Sequence, residues 1–385
     1  MNDQPRMADL LRREIAETAN LVVVKVGTRV LTLQDGTLND TRIAQLAEEL
    51  NALRAAGRRP VLVSSGAVGA GMSRLGLKER PTDLAKLQAV AAVGQTKLIE
   101  AYDRTFRKHD RHAAQVLLTA DDLNDRKRYL NVRNTLLTLL EFGAIPVINE
   151  NDTVAVDELL TTFGDNDRLA AMVTNLLRAS LLVILSDVEG LYNGDPSLPD
   201  STCLSTVSKF DDTIEGYVRD RKTGLSKGGM ASKLRAARMV TSAGENVIIA
   251  SGRDPRVLTR IFAAEEIGTL FLAQGKSLSP RKRWIGFSMH LPRGRVTLDA
   301  GACRALAEQG RSLLAIGVTS VEGDFEKGDV VTLCEPGGKE FARGLTNYSS
   351  QQLARIRGLK SDRIAEVLGH CLYEEVIHRD NMTML

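Results

Sequence analysis

Cysteine is scarce and scattered in this chain: Cys203, Cys303, Cys334 and Cys371 show no CxxC spacing. That excludes a disulfide framework and a structural zinc site, and it suits a reducing compartment. The five histidines show no metal-ligand spacing either. Long apolar runs are also missing, and none approaches the roughly 20 residues of a membrane span. Residues 1–20 are polar and charged, without the apolar h-region of a secretory signal. A cytoplasmic protein is therefore expected. Strong charge of one sign is absent: a net +3 over 385 residues argues only weakly for anionic partners. Repeats and low-complexity tracts are lacking as well.

What is present is a chain too long for one compact core, so two domains are expected. A hydrophobic share of 43% with 32 glycines suits an α/β protein rich in tight turns. From Leu21 to about Gly275 an apolar strand, a glycine-rich turn and an amphipathic helix recur. The spacing predicts strands over Leu21–Val26, Arg59–Ser64, Ala113–Leu118, Ile145–Ile148, Leu181–Ser186 and Asn246–Ala250. It predicts helices over Asp40–Ala56, Ala85–Lys108, Asn131–Phe142, Asp167–Arg178 and Ala231–Ser242, with Asp40, Asn131 and Asp167 as caps. Such alternation means a mainly parallel sheet covered on both faces, with ligands beyond the carboxyl ends of its strands. The pattern changes between about 275 and 293. Beyond it, brief alternating segments (Gly294–Leu298, Leu313–Val321, Asp329–Leu333, Glu340–Thr346) and the turn Glu335-Pro336-Gly337-Gly338 predict a small, mostly β module. The division expected is an extension at 1–20, a catalytic domain at 21–275, a linker at 276–292 and the module at 293–385.

Several segments carry candidate chemistry. Lys25 closes the run Val22-Val23-Val24-Lys25-Val26-Gly27-Thr28. A lysine in a strand apolar on both faces is costly unless an anion meets it, and the following glycine lets backbone N–H groups approach the same anion. The alternative is a strand-end lysine whose ammonium snorkels to water. Ser64-Ser65-Gly66-Ala67-Val68-Gly69-Ala70-Gly71 opens a helix and provides N–H donors for an anion. It matches neither the P-loop nor the dinucleotide fingerprint, and a sharp strand-to-helix turn needs glycine for structural reasons alone. Asn149-Glu150-Asn151-Asp152 and Gly164-Asp165-Asn166-Asp167 crowd acids and amides at two edges of the expected sheet. Caps and Asx-turns account for one or two of these side chains and leave the others to function. Ser186-Asp187 ends a further strand, and Lys227-Gly228-Gly229-Met230 leads to Lys233 in a helix's first turn. A basic residue is electrostatically misplaced at that helix end unless an anion sits there.

Taken in order, Lys25–Thr28, Ser64–Ala67, Ile148–Asp152, Gly164–Asp167, Ser186–Tyr192 and Gly228–Lys233 resemble the motif set of the amino acid kinase family, and within it the branch that phosphorylates glutamate. The segment from about 293 resembles a PUA domain. The resemblance implies a three-layer sandwich around a mainly parallel sheet. It also implies transfer of the ATP γ-phosphoryl group to the side-chain carboxylate of L-glutamate, which opens proline biosynthesis. By that resemblance Lys25, Lys233 and Asp167 form the catalytic set, with Asp167 orienting both lysines. Ser65, Gly66, Asp152, Asp165 and Asn166 would hold the glutamate. Lys25, Gly27, Ser186, Asp187, Lys227, Gly228, Gly229, Met230 and Lys233 would hold ATP, with N–H groups near Gly27 and Gly66 assisting. Mg²⁺ would bridge the phosphates through water and phosphate oxygens, without a protein ligand set. A homo-oligomer and proline as a feedback ligand follow from the same resemblance.

Kinases of acetylglutamate, aspartate or nucleoside monophosphates would use a similar sheet, but the two acid/amide clusters favour glutamate. RNA binding through the C-terminal module is the reading from another class. From Arg281 onward 15 Lys+Arg face 13 Asp+Glu, a difference of +2, which is thin for a phosphate-tracking surface. The run Arg281-Lys282-Arg283 reads as a solvated linker, and His378-Arg379-Asp380 as tail packing.

Overall fold

The computed structural model describes residues 7–154, 166–217, 229–274, 285, 292–369 and 373–385. The chain divides into two compact units, Met1–Ser277 and Leu278–Leu385.

The first unit is built on eight strands: β1 (Leu21–Val26), β2 (Arg59–Val63), β3 (Ala113–Leu118), β4 (Ile145–Glu150), β5 (Leu181–Ser186), β6 (Thr206–Val207), β7 (Asn246–Ser251) and β8 (Thr269–Phe271). They lie in the order β3-β4-β2-β1-β5-β7-β8-β6. Neighbours run parallel from β3 through β7, and β8 pairs antiparallel with β7. Every residue of β1, β4 and β5 is buried, so helices must cover both faces and the strand sequences carry no alternation. The short strands β6, at the edge, and β8, beside it, lack the apolar run that marked the others, and sequence patterning passed over them.

The caps expected at Asp40 and Asn131 lie elsewhere. Asn39, not Asp40, caps Asp40–Ala55 by accepting from the Arg42 N–H. The helix expected over Asn131–Phe142 runs Arg126–Glu141 and is capped by Asp125, which accepts from the Arg128 N–H. Asn131 therefore sits a turn and a half inside it. The Arg/Lys-rich first turn, Arg126-Lys127-Arg128, hid the helix from an apolar-periodicity reading.

Three local devices position the strand ends. Helices Ala67–Leu75 and Leu84–Phe106 cross at glycines: a Cβ on Gly71 would lie 1.8 Å from Val90 O, and one on Gly94 would lie 1.7 Å from Ala67 O. Buried Glu49 Oε1 accepts from the N–H groups of Leu258 (2.8 Å) and Thr259 (3.1 Å), closing the first turn of Val257–Phe262. Burial pushes that carboxyl up to about 7, against the stabilising Thr259 N–H bond and the Arg42 charge. Arg42 Nε donates to Gly252 O at 2.7 Å, and the Gly252 N–H donates to Ser186 O at 2.7 Å, which ties the end of β7 to the end of β5.

The N-terminal residues, given no role from sequence, include a helix over Met7–Thr18. Its Arg12, only 3% exposed, donates to the carbonyls of Ile267 (2.9 Å), Ser205 (2.8 Å) and Gly268 (3.0 Å). The guanidinium thus staples the helix to the β6–β8 edge. Arg12→Met keeps the aliphatic packing and removes the donors. It is expected to lower stability by about 3 kcal/mol, since hydrogen bonds from a charged group contribute about 1.5–3 kcal/mol in total effect when broken. A denaturant midpoint equal to wild type would refute the staple.

The second unit carries a five-stranded sheet, β9 (Gly294–Leu298), β11 (Val318–Gly323), β12 (Val330–Cys334), β13 (Glu340–Leu345) and β15 (Met382–Met384), in the order β11-β9-β12-β13-β15. The short β10 (Leu313–Leu314) and β14 (Glu375–Ile377) pair separately. Helices Ala300–Gln309 and Ser350–Ile356 complete a core around Val296, Phe325, Leu333, Ile356 and Ile377. The unit is strand-rich, as expected, with helices the sequence reading omitted. Near its end the Asp380 N–H donates to His378 Nδ1 and the Arg379 N–H to Ser312 Oγ, so the His-Arg-Asp run packs the tail.

Candidate active site

The chain leaves β1 towards β2 on one side and later returns as β5 on the other. That reversal of strand order makes a crevice beyond the carboxyl ends of β1, β2 and β5. Lys25 is the fifth of six residues in β1, opposite Val63 of β2 and Ile184 of β5. Ser64–Gly66 follow β2, Asn149–Glu150 end β4 with Asn151–Asp152 just beyond, and Ser186 ends β5 with Asp187 next. Segments far apart in sequence therefore reach one rim.

Asp167 stands at the centre. Its side chain is fully buried, in the first turn of Asn166–Leu177, where a negative charge suits the helix dipole. Lys25 Nζ lies 2.6 Å from Oδ1 and Lys233 Nζ lies 3.1 Å from Oδ2. Each ammonium takes one oxygen, so a single carboxylate sets the position of both. Lys25 is 2% exposed and Lys233 6%, which excludes the snorkelling alternative. Asp167 is no helix cap: its oxygens face the lysines.

Asn166 joins the two acid/amide clusters to β2. Its Nδ2 donates to Ser64 O (2.6 Å), Ser65 Oγ (3.1 Å) and Asn149 Oδ1 (2.8 Å). Gly66 has φ 98°, a left-handed conformation that a side chain would strain, and it caps Ala67–Leu75. Asn151 accepts from the Thr153 hydroxyl, so this member of the cluster is the turn former that the bland reading anticipates. Asp152 is half-buried. Burial pushes its carboxyl up to about 6, against the hydrogen bond from Gln95 and the charge of Arg80, both of which favour the anion.

On the other side of β1, Ser186 Oγ donates to Asp187 Oδ1 at 3.2 Å. Arg29 Nη1 lies 2.9 Å from Asp187 Oδ2. Partial burial opposes ionisation of Asp187, but the Arg29 hydrogen bond and charge, its own backbone N–H and Ser186 together hold the carboxyl below the usual range. Gly229, in extended conformation, caps the helix Met230–Ser242 that carries Lys233. Asp165, Lys227 and Gly228 lie outside the described residues.

The Gly27 N–H donates to Leu185 O at 3.0 Å, so that amide joins the β1–β5 ladder, and the expectation of phosphate donors rests on the other N–H groups near it. A Cβ at Gly27 would stand 3.7 Å from Lys25 Nζ; glycine there leaves room beside the ammonium. Two residues at the rim escaped the sequence reading. Arg29, two residues past Gly27, offered only a lone basic residue as a signal. Gln95 offered a polar residue on a face otherwise made by Ala91, Gly94 and Leu98.

Comparison with known proteins agrees with this geometry. The model of the amino acid kinase family matches residues 20–251, and that of the PUA domain matches residues 294–368. The chain belongs to the amino acid kinase family. It is 51% identical over 385 residues to the protein of Rhodopirellula baltica named glutamate 5-kinase, covering 100% of this chain and 99% of that one. It is 47% identical over 376 residues to the glutamate 5-kinase of Geobacter sp. strain M21, covering 97% of this chain and 100% of the relative. Among the described residues no helix is long and apolar enough to cross a membrane.

Proposed function

We propose that this protein transfers the γ-phosphoryl group of ATP to the side-chain carboxylate of L-glutamate, forming glutamyl 5-phosphate for proline biosynthesis. The observation that carries the reading is the single buried carboxylate, Asp167, holding Lys25 and Lys233 from two different elements. The sheet order supplies the rest. Ser65, Gly66, Asn166 and Asp152 gather on the β2–β4 side, where glutamate would lie. Ser186 and Asp187 lie at the end of β5, where the nucleotide would lie, and Gly229 and Met230 open the helix that carries Lys233. Lys25 on β1 stands between them, with Lys233.

A glutamate carboxylate is ionised at pH 7, so no general base is required. One carboxylate oxygen forms the new O–P bond while the bond from the γ-phosphorus to the β,γ-bridging oxygen breaks and ADP leaves. The chemical task is to hold two anions in line and to stabilise the charge growing on the transferring and bridging oxygens. Two positioned ammonium groups do this without reorganising during the step. Asp167 acts as a positioning residue. Asp165, Lys227 and Gly228 keep their proposed roles towards glutamate and ATP. Mg²⁺ would enter with the phosphates, held by their oxygens and water. It would supply charge neutralisation of the nucleotide. The reading assigns catalysis to 21–275 and leaves 276–292 as the linker to the 293–385 module. A homo-oligomeric enzyme with proline as a ligand of the glutamate pocket belongs to the same reading.

The direct test is ATP-dependent γ-glutamyl hydroxamate formation from glutamate and hydroxylamine, with aspartate and acetylglutamate as controls. Glutamate alone should support turnover; preference for either control would overturn the assignment. A pH signature follows from Asp152. Its carboxyl, raised to about 6, is anionic above that pH and neutral below. KM for glutamate therefore rises as pH falls through about 6, when the charge facing the substrate ammonium is lost. Asp152→Asn should raise KM at neutral pH and flatten this limb. An unchanged limb in the variant would assign it to another group.

A further inference from the structure

One buried polar side chain at the rim has no role in the transfer itself. Gln95, on the helix Leu84–Phe106, is 6% exposed. Its Nε2 donates to Glu150 O at 3.4 Å and to Asp152 Oδ2 at 3.5 Å. Both partners are acceptors, which fixes the amide orientation. Its Oε1 is buried and has no hydrogen-bond partner. A buried acceptor left unmet is unfavourable, and native proteins rarely keep one without a reason.

The neighbourhood indicates what would meet it. Asp152 lies in the loop after β4, and the charged group that bears on it is Arg80. A carboxylate and an amide oxygen side by side are both acceptors, so together they suit a donor-rich cation. A primary ammonium offers three N–H groups in a compact charge. Gln95 can hold the carboxylate through Nε2 and accept from the same ammonium through Oε1.

We propose that Gln95 is a specificity-determining residue for the substrate's α-ammonium: its Nε2 positions Asp152, and its Oε1 accepts a hydrogen bond from the bound ammonium. The assignment rests on the glutamate reading above and adds the part of the pocket that separates an α-amino dicarboxylate from a plain one. A purely structural role, tying the helix to the end of β4, would weaken both kinds of ligand alike.

The test compares wild type, Gln95→Met and Gln95→Asn, with KM and kcat for L-glutamate, KM for ATP, and glutarate measured as alternative substrate and as competitive inhibitor. Glutarate carries the same two carboxylates without the amine. Gln95→Met, close in volume and without donor or acceptor, should raise glutamate KM about tenfold or more, the effect of a lost hydrogen bond to a charged group. Its kcat should stay within about threefold, with ATP KM and the glutarate constant nearly unchanged, as for loss of a binding contact equal in ground and transition states. Gln95→Asn keeps the amide with a shorter reach and should show the same glutamate-selective pattern at smaller size. It carries the comparison if the methionine variant does not fold. Equal weakening of glutamate and glutarate, or an unchanged glutamate KM, would overturn the proposal while wild-type activity upholds the functional reading. An inactive wild type would overturn both.

Discussion

Replacing Lys25 by alanine should reduce kcat by roughly 10²–10³-fold or more, the scale seen when one preorganised donor to a developing negative charge is removed. Lys233→Ala should do the same. The fold should persist in each case, because Asp167 keeps the other ammonium at 2.6 or 3.1 Å and the carboxylate is not left alone in the interior. Far-UV circular dichroism and a thermal melt beside the kinetics would separate the two effects. Lys25→Arg should not restore turnover: the guanidinium is planar and longer, and a site that fits a compact ammonium against Asp167 Oδ1 has no place for its fork. Near-normal turnover in either alanine variant would remove that lysine from the phosphoryl path. Loss of folding in both would recast the triad as structural.

The second large effect is on stability. Gly94→Ala places a methyl group 1.7 Å from Ala67 O and 2.5 Å from Gly71 N. Helix propensity alone would favour alanine by about 1 kcal/mol. The clash is with backbone atoms of the facing helix, which cannot rotate away, so overpacking wins and a net loss of about 3 kcal/mol is expected. That corresponds to a Tm lower by roughly 6–10 °C for a unit of this size. The displaced helix, Ala67–Leu75, begins at Gly66, directly after Ser65. The surviving folded enzyme should therefore also show a raised glutamate KM. A melt and a KM both equal to wild type would mean that the helices separate at no cost.

Much of the fold was legible because its signals are local. Leu21–Val26, Ala113–Leu118 and Leu181–Ser186 are strands with the expected bounds, since a short apolar run between turns has few other solutions in an alternating chain. The segments around Lys25, Ser65, Asn166, Asp167, Ser186 and Lys233 could be singled out because charges and amides beside buried strands are costly without a partner. What escaped lacked such a signal. The strands β6 and β8 are two and three residues long, and Arg12 resembles any charged residue of a polar leading segment. Gln95 is one amide in a long helix; its meaning depends on Asp152, 57 residues away.

The sequence by itself determined the alternation of strand, glycine turn and helix, the order of the motifs and the division into two parts, because periodicity and turn chemistry act over a few residues. Only the tertiary structure decided that Lys25 and Lys233 meet on one carboxylate, that the Gly27 amide belongs to the sheet, and that the ends of β2 and β4 lie on one side of β1 and the end of β5 on the other. Those facts depend on strand order, and strand order arises from burying whole faces of a sheet between helices, a global packing solution that no short window of residues contains.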